Sequence, residues 1–221
     1  MGKEAKDRLH YLKPEQQQLI EEWVEGILPL MEKHPRMKDV DLVIEGGVGT
    51  GSTLLDIARR LFPDALYVGT DIAERLMTGK SRINRAIDKK TLSGIQAAND
   101  HPSFGMRGAV IHGNCFDTEL VRDIAQKAGK RNPILATFNA LNALLDRKMN
   151  PWDRKDESDR ITLEDMVLSN SPYVAQLHVG ADWDDEGATS LSSRYCRLES
   201  AANSVGWITE RFDVGLLLLR P

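Results

Sequence analysis

At 221 residues with a net charge of −4, the chain is long enough for one domain with a sizeable core and carries no global basic field of the kind that attracts nucleic acid. Its two cysteines, Cys115 and Cys196, are far apart and match no metal-ligand spacing, which suits reduced thiols in a cytoplasmic protein with no metal site. No apolar run reaches transmembrane length and the N-terminus lacks the apolar stretch of a signal peptide, so no membrane partner is expected.

The first predicted element is a helix over residues 15–33. Pro14 suits its first turn, and Leu19, Ile20, Trp23, Val24, Ile27, Leu28 and Met31 recur at helical spacing. Gly26 and Pro29 are expected to kink or fray its end. Residues 1–38 therefore read as an N-terminal helical extension, packed on the next layer or acting as a lid, and 39–221 as an α/β domain.

The stretch Asp41-Leu42-Val43-Ile44-Glu45-Gly46-Gly47-Val48-Gly49-Thr50-Gly51-Ser52 is an apolar run that ends on a carboxylate and enters a glycine-dense turn. A helical pattern with Leu54, Leu55, Ala58, Leu61 and Phe62 opens at once. Strand, tight loop and helix in this order hold a nucleotide-like ligand at the end of the first strand of an α/β sheet. The spacing excludes two ligand classes. A dinucleotide fingerprint needs Gly-x-Gly-x-x-Gly, and every register fails: Ser52 or Leu54 takes the third glycine position, or Val48 the second. A phosphate-binding loop ending at Gly79-Lys80-Ser81 would need a glycine where Glu74 stands.

What remains is Glu45-x-Gly47-x-Gly49-x-Gly51, which resembles the first motif of the class I S-adenosylmethionine-dependent methyltransferases. The resemblance implies that Glu45 attracts the cationic amino acid end of the cofactor. It implies too that the backbone of Gly46, Gly47, Gly49 and Gly51 packs against the ribose and methionine portions. No phosphate has to be neutralised, so the loop needs no lysine.

The second strand, Leu66 to Gly69, ends at Thr70-Asp71. A carboxylate there accepts two hydrogen bonds from a ribose diol, a feature dehydrogenases share. Within the resemblance Asp71 is the ribose ligand and Ile72 leans on the adenine. A strongly basic helix follows over 72–90, and an insertion is expected near 88–106, before the third strand, Ala109 to His112. Asn114 then stands where the family ends its third strand on a polar residue that accepts from the adenine amino group. Cys115 is the neighbour that helps hold the ring. Asp117 reads as the N-cap of a helix through Ala128, with Phe116 placed to staple against Val121.

The fourth strand is Pro133 to Phe138, and Asn139 at its end shares only the asparagine of the amine methyltransferase motif. It is a cofactor or acceptor contact by position. A charged loop over 146–160 and a short helix over 163–168 lead to the fifth strand, Tyr173 to Val179. Past it, the acidic loop with Asp182, Trp183, Asp184, Asp185 and Glu186 suits a cationic or amine-bearing acceptor. His178, Asp182 and Asp184 lie near the same edge, but position alone makes none of them catalytic. A last amphipathic helix runs from Leu191 to Val205, and Trp207 to Phe212 and Gly215 to Leu219 form a closing hairpin.

The resemblance thus implies a single-domain, Rossmann-like, seven-stranded and mostly parallel sheet with helices on both faces and a C-terminal antiparallel hairpin, the last strand inserted antiparallel. The expected activity is methyl transfer from S-adenosyl-L-methionine to a small-molecule or other soluble acceptor. Two alternatives stay open: aminopropyl transfer from decarboxylated S-adenosylmethionine, and a non-catalytic cofactor-binding module.

Overall fold

The computed structural model describes residues 14–47, 57, 60–71, 109–138, 172–180, 191–213 and 215–221. The expected helix over 72–90, the insertion near 88–106, the loops at 146–160 and 181–187 and the helix over 163–168 lie outside these residues, as do Gly49, Gly51, Ile72 and Asn139.

Seven strands form one sheet: β1 (Leu42–Gly46), β2 (Leu66–Asp71), β3 (Ala109–His112), β4 (Pro133–Phe138), β5 (Ala175–Val179), β6 (Ile208–Phe212) and β7 (Gly215–Leu219). Their spatial order is β3-β2-β1-β4-β5-β7-β6. The first five are parallel, whereas β7 is antiparallel to both β5 and β6. Three α-helices of the described residues flank the sheet, α1 (Pro14–Lys33), α2 (Thr118–Ala128) and α3 (Leu191–Ser204), and a 3-10 helix spans Pro35–Asp39.

The central strands read as unbroken apolar runs because both of their faces are covered. Alternation along β1 sends Val43 to one face, with Trp23, Ile27, Ile57 and Leu61. Leu42 and Ile44 go to the other, with Val121 and Ile124 of α2. Edge strand β6 sorts its side chains in the same way. Glu210 meets Lys33 and His34 at the end of α1, while Thr209 and Arg211 reach Glu199, Asn203 and Cys196 of α3. Helix α1 therefore lies on one face, and α2 and α3 on the other.

Helix α1 runs on to Lys33 with Pro29 inside it, so Gly26 and Pro29 do not end it. A proline inside a helix forfeits one backbone hydrogen bond, and burial of Trp23, Ile27 and Met31 around it outweighs that loss. Helix α2 begins as its sequence predicts. Asp117 accepts from the amides of Glu119 and Leu120, and Phe116 packs on the cluster that contains Val121. Gly129 closes the helix in the left-handed conformation, φ 64°. Strand β5 starts at Ala175 rather than Tyr173, because Tyr173 turns its hydroxyl to the carbonyl of Cys115.

Candidate functional site

Strand β1 lies between β2 and β4, the point at which the chain's winding reverses; in open α/β sheets ligands bind at such a point, beyond the carboxyl ends of the strands. The register brings the ends of three strands together. Gly46 is opposite Thr70 on one side and Thr137 on the other, and Asp71 of β2 is opposite His112 of β3.

The turn leaving β1 is tied to β2 by two hydrogen bonds. The amide of Gly47 donates to the carbonyl of Thr70 at 2.8 Å, and the hydroxyl of Thr70 donates to the carbonyl of Glu45 at 3.0 Å. Gly47 needs its φ of 74° to make this turn, a conformation most side chains resist. Gly46 is a glycine for a different reason: a β-carbon there would stand 2.5 Å from the Sγ of Cys115 and 3.6 Å from the Cγ2 of Thr137. Cys115, expected beside the adenine, is thus the side chain against which the first motif is seated. It is a buried free thiol.

Glu45 is only 3% exposed although it is an acid at a strand end. Alternation from Val43 places it on the α1 face, while Gly46 faces Cys115. The backbone of Asp71 ends β2 next to this turn.

Asn114 opens the turn between β3 and α2. Its Oδ1 accepts from the amide of Phe116 at 2.9 Å, and its carbonyl accepts from the amide of Asp117 at 2.9 Å. The asparagine shapes its own turn, and its second Oδ1 lone pair is the one suited to an outside donor. Tyr173 holds the next residue, donating to the carbonyl of Cys115 at 2.6 Å. Burial, with the Cys115 thiol beside it, raises the pKa of Tyr173 well above the usual phenol value, which keeps the hydroxyl a donor.

Beneath β4 and β5 runs a row of polar side chains that sequence reading passed over, apart from His178. The Oγ1 of Thr137 lies 2.7 Å from Nδ1 of His178, and Nε2 of His178 lies 3.0 Å from Oε1 of Gln176. An amide oxygen only accepts, so Nε2 carries the hydrogen and Nδ1 accepts from Thr137. Burial drives the His178 pKa down to about 3, so the ring is neutral. A ring 1% exposed with both nitrogens engaged is a strut of the sheet, which removes His178 as a base open to an acceptor. The signal for the row was two polar residues at alternate positions in Ala175-Gln176-Leu177-His178-Val179, facing Thr137 of the neighbouring strand.

A parallel sheet that reverses at β1 and β4, with a seventh strand inserted antiparallel between the fifth and sixth, decides the architecture. This is the seven-stranded, mostly parallel arrangement that the resemblance of the first motif led one to expect. No protein-family model matches the sequence. No curated protein matches it either.

Among solved structures, an O-methyltransferase family protein from Burkholderia thailandensis is 13% identical, with a TM-score of 0.44 over 92% of this chain and 58% of its own. The chain thus spans less than two thirds of that protein's length. The aminoglycoside resistance methyltransferase NpmB1 is 15% identical, with a TM-score of 0.45 over 86% of this chain and 92% of its own. An O-methyltransferase from Bacillus cereus in complex with SAH is 14% identical, with a TM-score of 0.43 over 98% of this chain and 87% of its own. Among the described residues no helix is long and apolar enough to cross a membrane.

Proposed function

We propose that this protein binds S-adenosyl-L-methionine at the carboxyl ends of β1, β2 and β3 and transfers its methyl group to a small-molecule acceptor. The observation that carries the reading is the glycine turn, with its buried acid, at the point where the class I methyltransferase fold reverses its winding. Glu45 is 3% exposed, Gly46 is pressed against Cys115, and Gly47 is locked to Thr70. A carboxylate shielded from water attracts a cationic amino group more strongly than an exposed one. The donor set fits this cofactor: one acid for a cation, a second at the end of β2 for a diol, and no lysine in the loop for a phosphate.

When bound, the sulfonium supplies a methyl group already activated for displacement. The chain's own task is then to hold the two reactants in line and to keep water out. Glu45 and Asp71 anchor the ends of the cofactor, Asn114 and Cys115 border the adenine side, and Gly49, Gly51, Ile72 and Asn139 complete the lining. The acidic loop after β5 favours an acceptor that carries an amine. A base is dispensable for such an acceptor, whose proton leaves to solvent.

The test is a thermal shift with S-adenosylmethionine, S-adenosylhomocysteine, decarboxylated S-adenosylmethionine and NAD in parallel. A ligand at about 100 times its dissociation constant stabilises by about 2.7 kcal/mol. Shifts with the first two and none with NAD are expected. A larger shift with the decarboxylated form redirects the assignment to aminopropyl transfer, and no shift with any of the four overturns it.

A further inference from the structure

The amino edge of the sheet, opposite the glycine turn, carries a second feature. A cavity of about 440 Å³ opens there, lined by Arg122, Gln126, Lys130, Arg131 and Arg220 together with Ala125, Pro133 and Pro172. Its place in the fold is fixed by register. Pro133 begins β4, and Arg220 follows Leu219, which pairs with Ala175 at the start of β5. The six residues of β4 separate this groove from the cofactor edge by roughly 20 Å.

Four cations line the groove and no carboxylate does. Arg122, Lys130 and Arg131 have no acidic partner among the described residues, and Arg122 and Arg131 are exposed. Two acids near the groove have other partners than its cationic side chains. Asp41 accepts from the backbone amides of Arg131 and Asn132 at 2.9 to 3.2 Å, and Asp123 pairs with Lys127 at 2.7 Å. A fifth cation, Arg36, donates to the carbonyl of Arg220 at 3.1 Å.

The negative end of the α2 dipole accounts for Lys130 and Arg131, which lie just past its last turn. It does not account for Arg122, near the start of the helix, or for Arg220, which arrives from another strand. Cations from separate elements that converge on one concavity match an anion with several charged oxygens. The protein as a whole carries a charge of −4, so a long polyanion leaving the groove would run over an unfavourable surface. A short one feels only the local cluster, because salt screens charges beyond about 8 Å.

We propose that this groove is a second binding site, for a short polyphosphate chain, either free or borne by a nucleotide. It is independent of the methyl-transfer reading and needs no turnover to be seen.

The experiment is isothermal titration of the full chain with inorganic tripolyphosphate, in parallel with a nucleoside triphosphate, the same nucleoside without phosphates, and sodium sulfate at matched ionic strength. Saturable binding with a dissociation constant below about 1 mM is expected for tripolyphosphate, weakening as salt is added, with none for the bare nucleoside. Tighter binding of the triphosphate than of tripolyphosphate identifies a nucleotide as the source; equal binding identifies the phosphate chain alone. Arg122→Glu with Lys130→Glu is expected to weaken binding at least tenfold. The milder Arg122→Gln, at an exposed position, keeps the test valid if the double variant does not fold, and is expected to weaken binding several-fold. Heat no greater than with sulfate, or affinity unchanged in Arg122→Gln, overturns the proposal. So does a short single-stranded oligonucleotide that binds more tightly than tripolyphosphate and displaces it.

Discussion

The hydroxyl of Thr137 donates to Nδ1 of His178 across two parallel strands, at 2.7 Å, inside a sheet whose other face at β4 and β5 is wholly apolar. The contact fixes two things at once. It holds His178 as the neutral tautomer whose other nitrogen donates to Gln176, and it orients Thr137 so that its methyl group faces Gly46. The seat of the glycine turn is thereby linked to β5 through three buried polar side chains.

Acid stability should report on that ring. The folded-state pKa of His178 is lowered from 6.5 to about 3, so between those values the unfolded chain binds a proton that the folded chain does not. Stability from this group is intact above about pH 6.5 and is lost as pH falls toward 3, by at most about 1.4 kcal/mol per pH unit. Urea denaturation of His178→Asn at several pH values should show a shallower decline over this window than the parent. Equal slopes in the two proteins would show that the ring does not titrate as its burial dictates.

Gly46 and Cys115 should behave as one unit. Gly46→Ala places a methyl group 2.5 Å from Sγ of Cys115 and is expected to cost about 1 to 3 kcal/mol, as overpacking does. Cys115→Ala opens the space, so the double variant should be more stable than the sum of the single effects by at least about 0.5 kcal/mol. Additive effects in chemical denaturation would mean that the clash is relieved elsewhere.

Helix α1 is tested by its core residues. Ile27 is fully buried beside Trp23 and against the sheet. Ile27→Ala is expected to cost about 2 to 5 kcal/mol in global unfolding, the range for a large side chain removed from a close-packed core. A helix that opened and closed as a lid would tolerate the change with little loss of global stability and an altered cofactor affinity instead.

The proposed cofactor anchors separate by chemistry. Glu45→Gln should weaken S-adenosylmethionine and S-adenosylhomocysteine alike, by at least about tenfold, because both carry the cationic amino group and a charge-assisted hydrogen bond contributes about 1.5 to 3 kcal/mol. Asp71→Asn should do the same for any ligand with a ribose diol. Calorimetry that finds both affinities unchanged would place the cofactor elsewhere.

The sequence alone determined the order and type of the strands and α-helices among the described residues and the location of the first motif; the 3-10 turn of Pro35–Asp39 was not legible in it. Apolar runs bounded by glycines, and helical spacing in Leu19 to Met31, need only local chemistry to be read. The N-cap at Asp117 is equally local: a carboxylate satisfies amides two and three residues along, wherever the helix lies. The tertiary structure alone decided what depends on neighbours distant in the chain. Nothing local marks Cys115 as the wall behind Gly46, or Tyr173 as the donor to Cys115, because these contacts are set by strand order and register. His178 shows the same division. Its place near a strand end did not decide its role, and burial against Thr137 and Gln176 made it a neutral strut, since a charge has no water there to stabilise it.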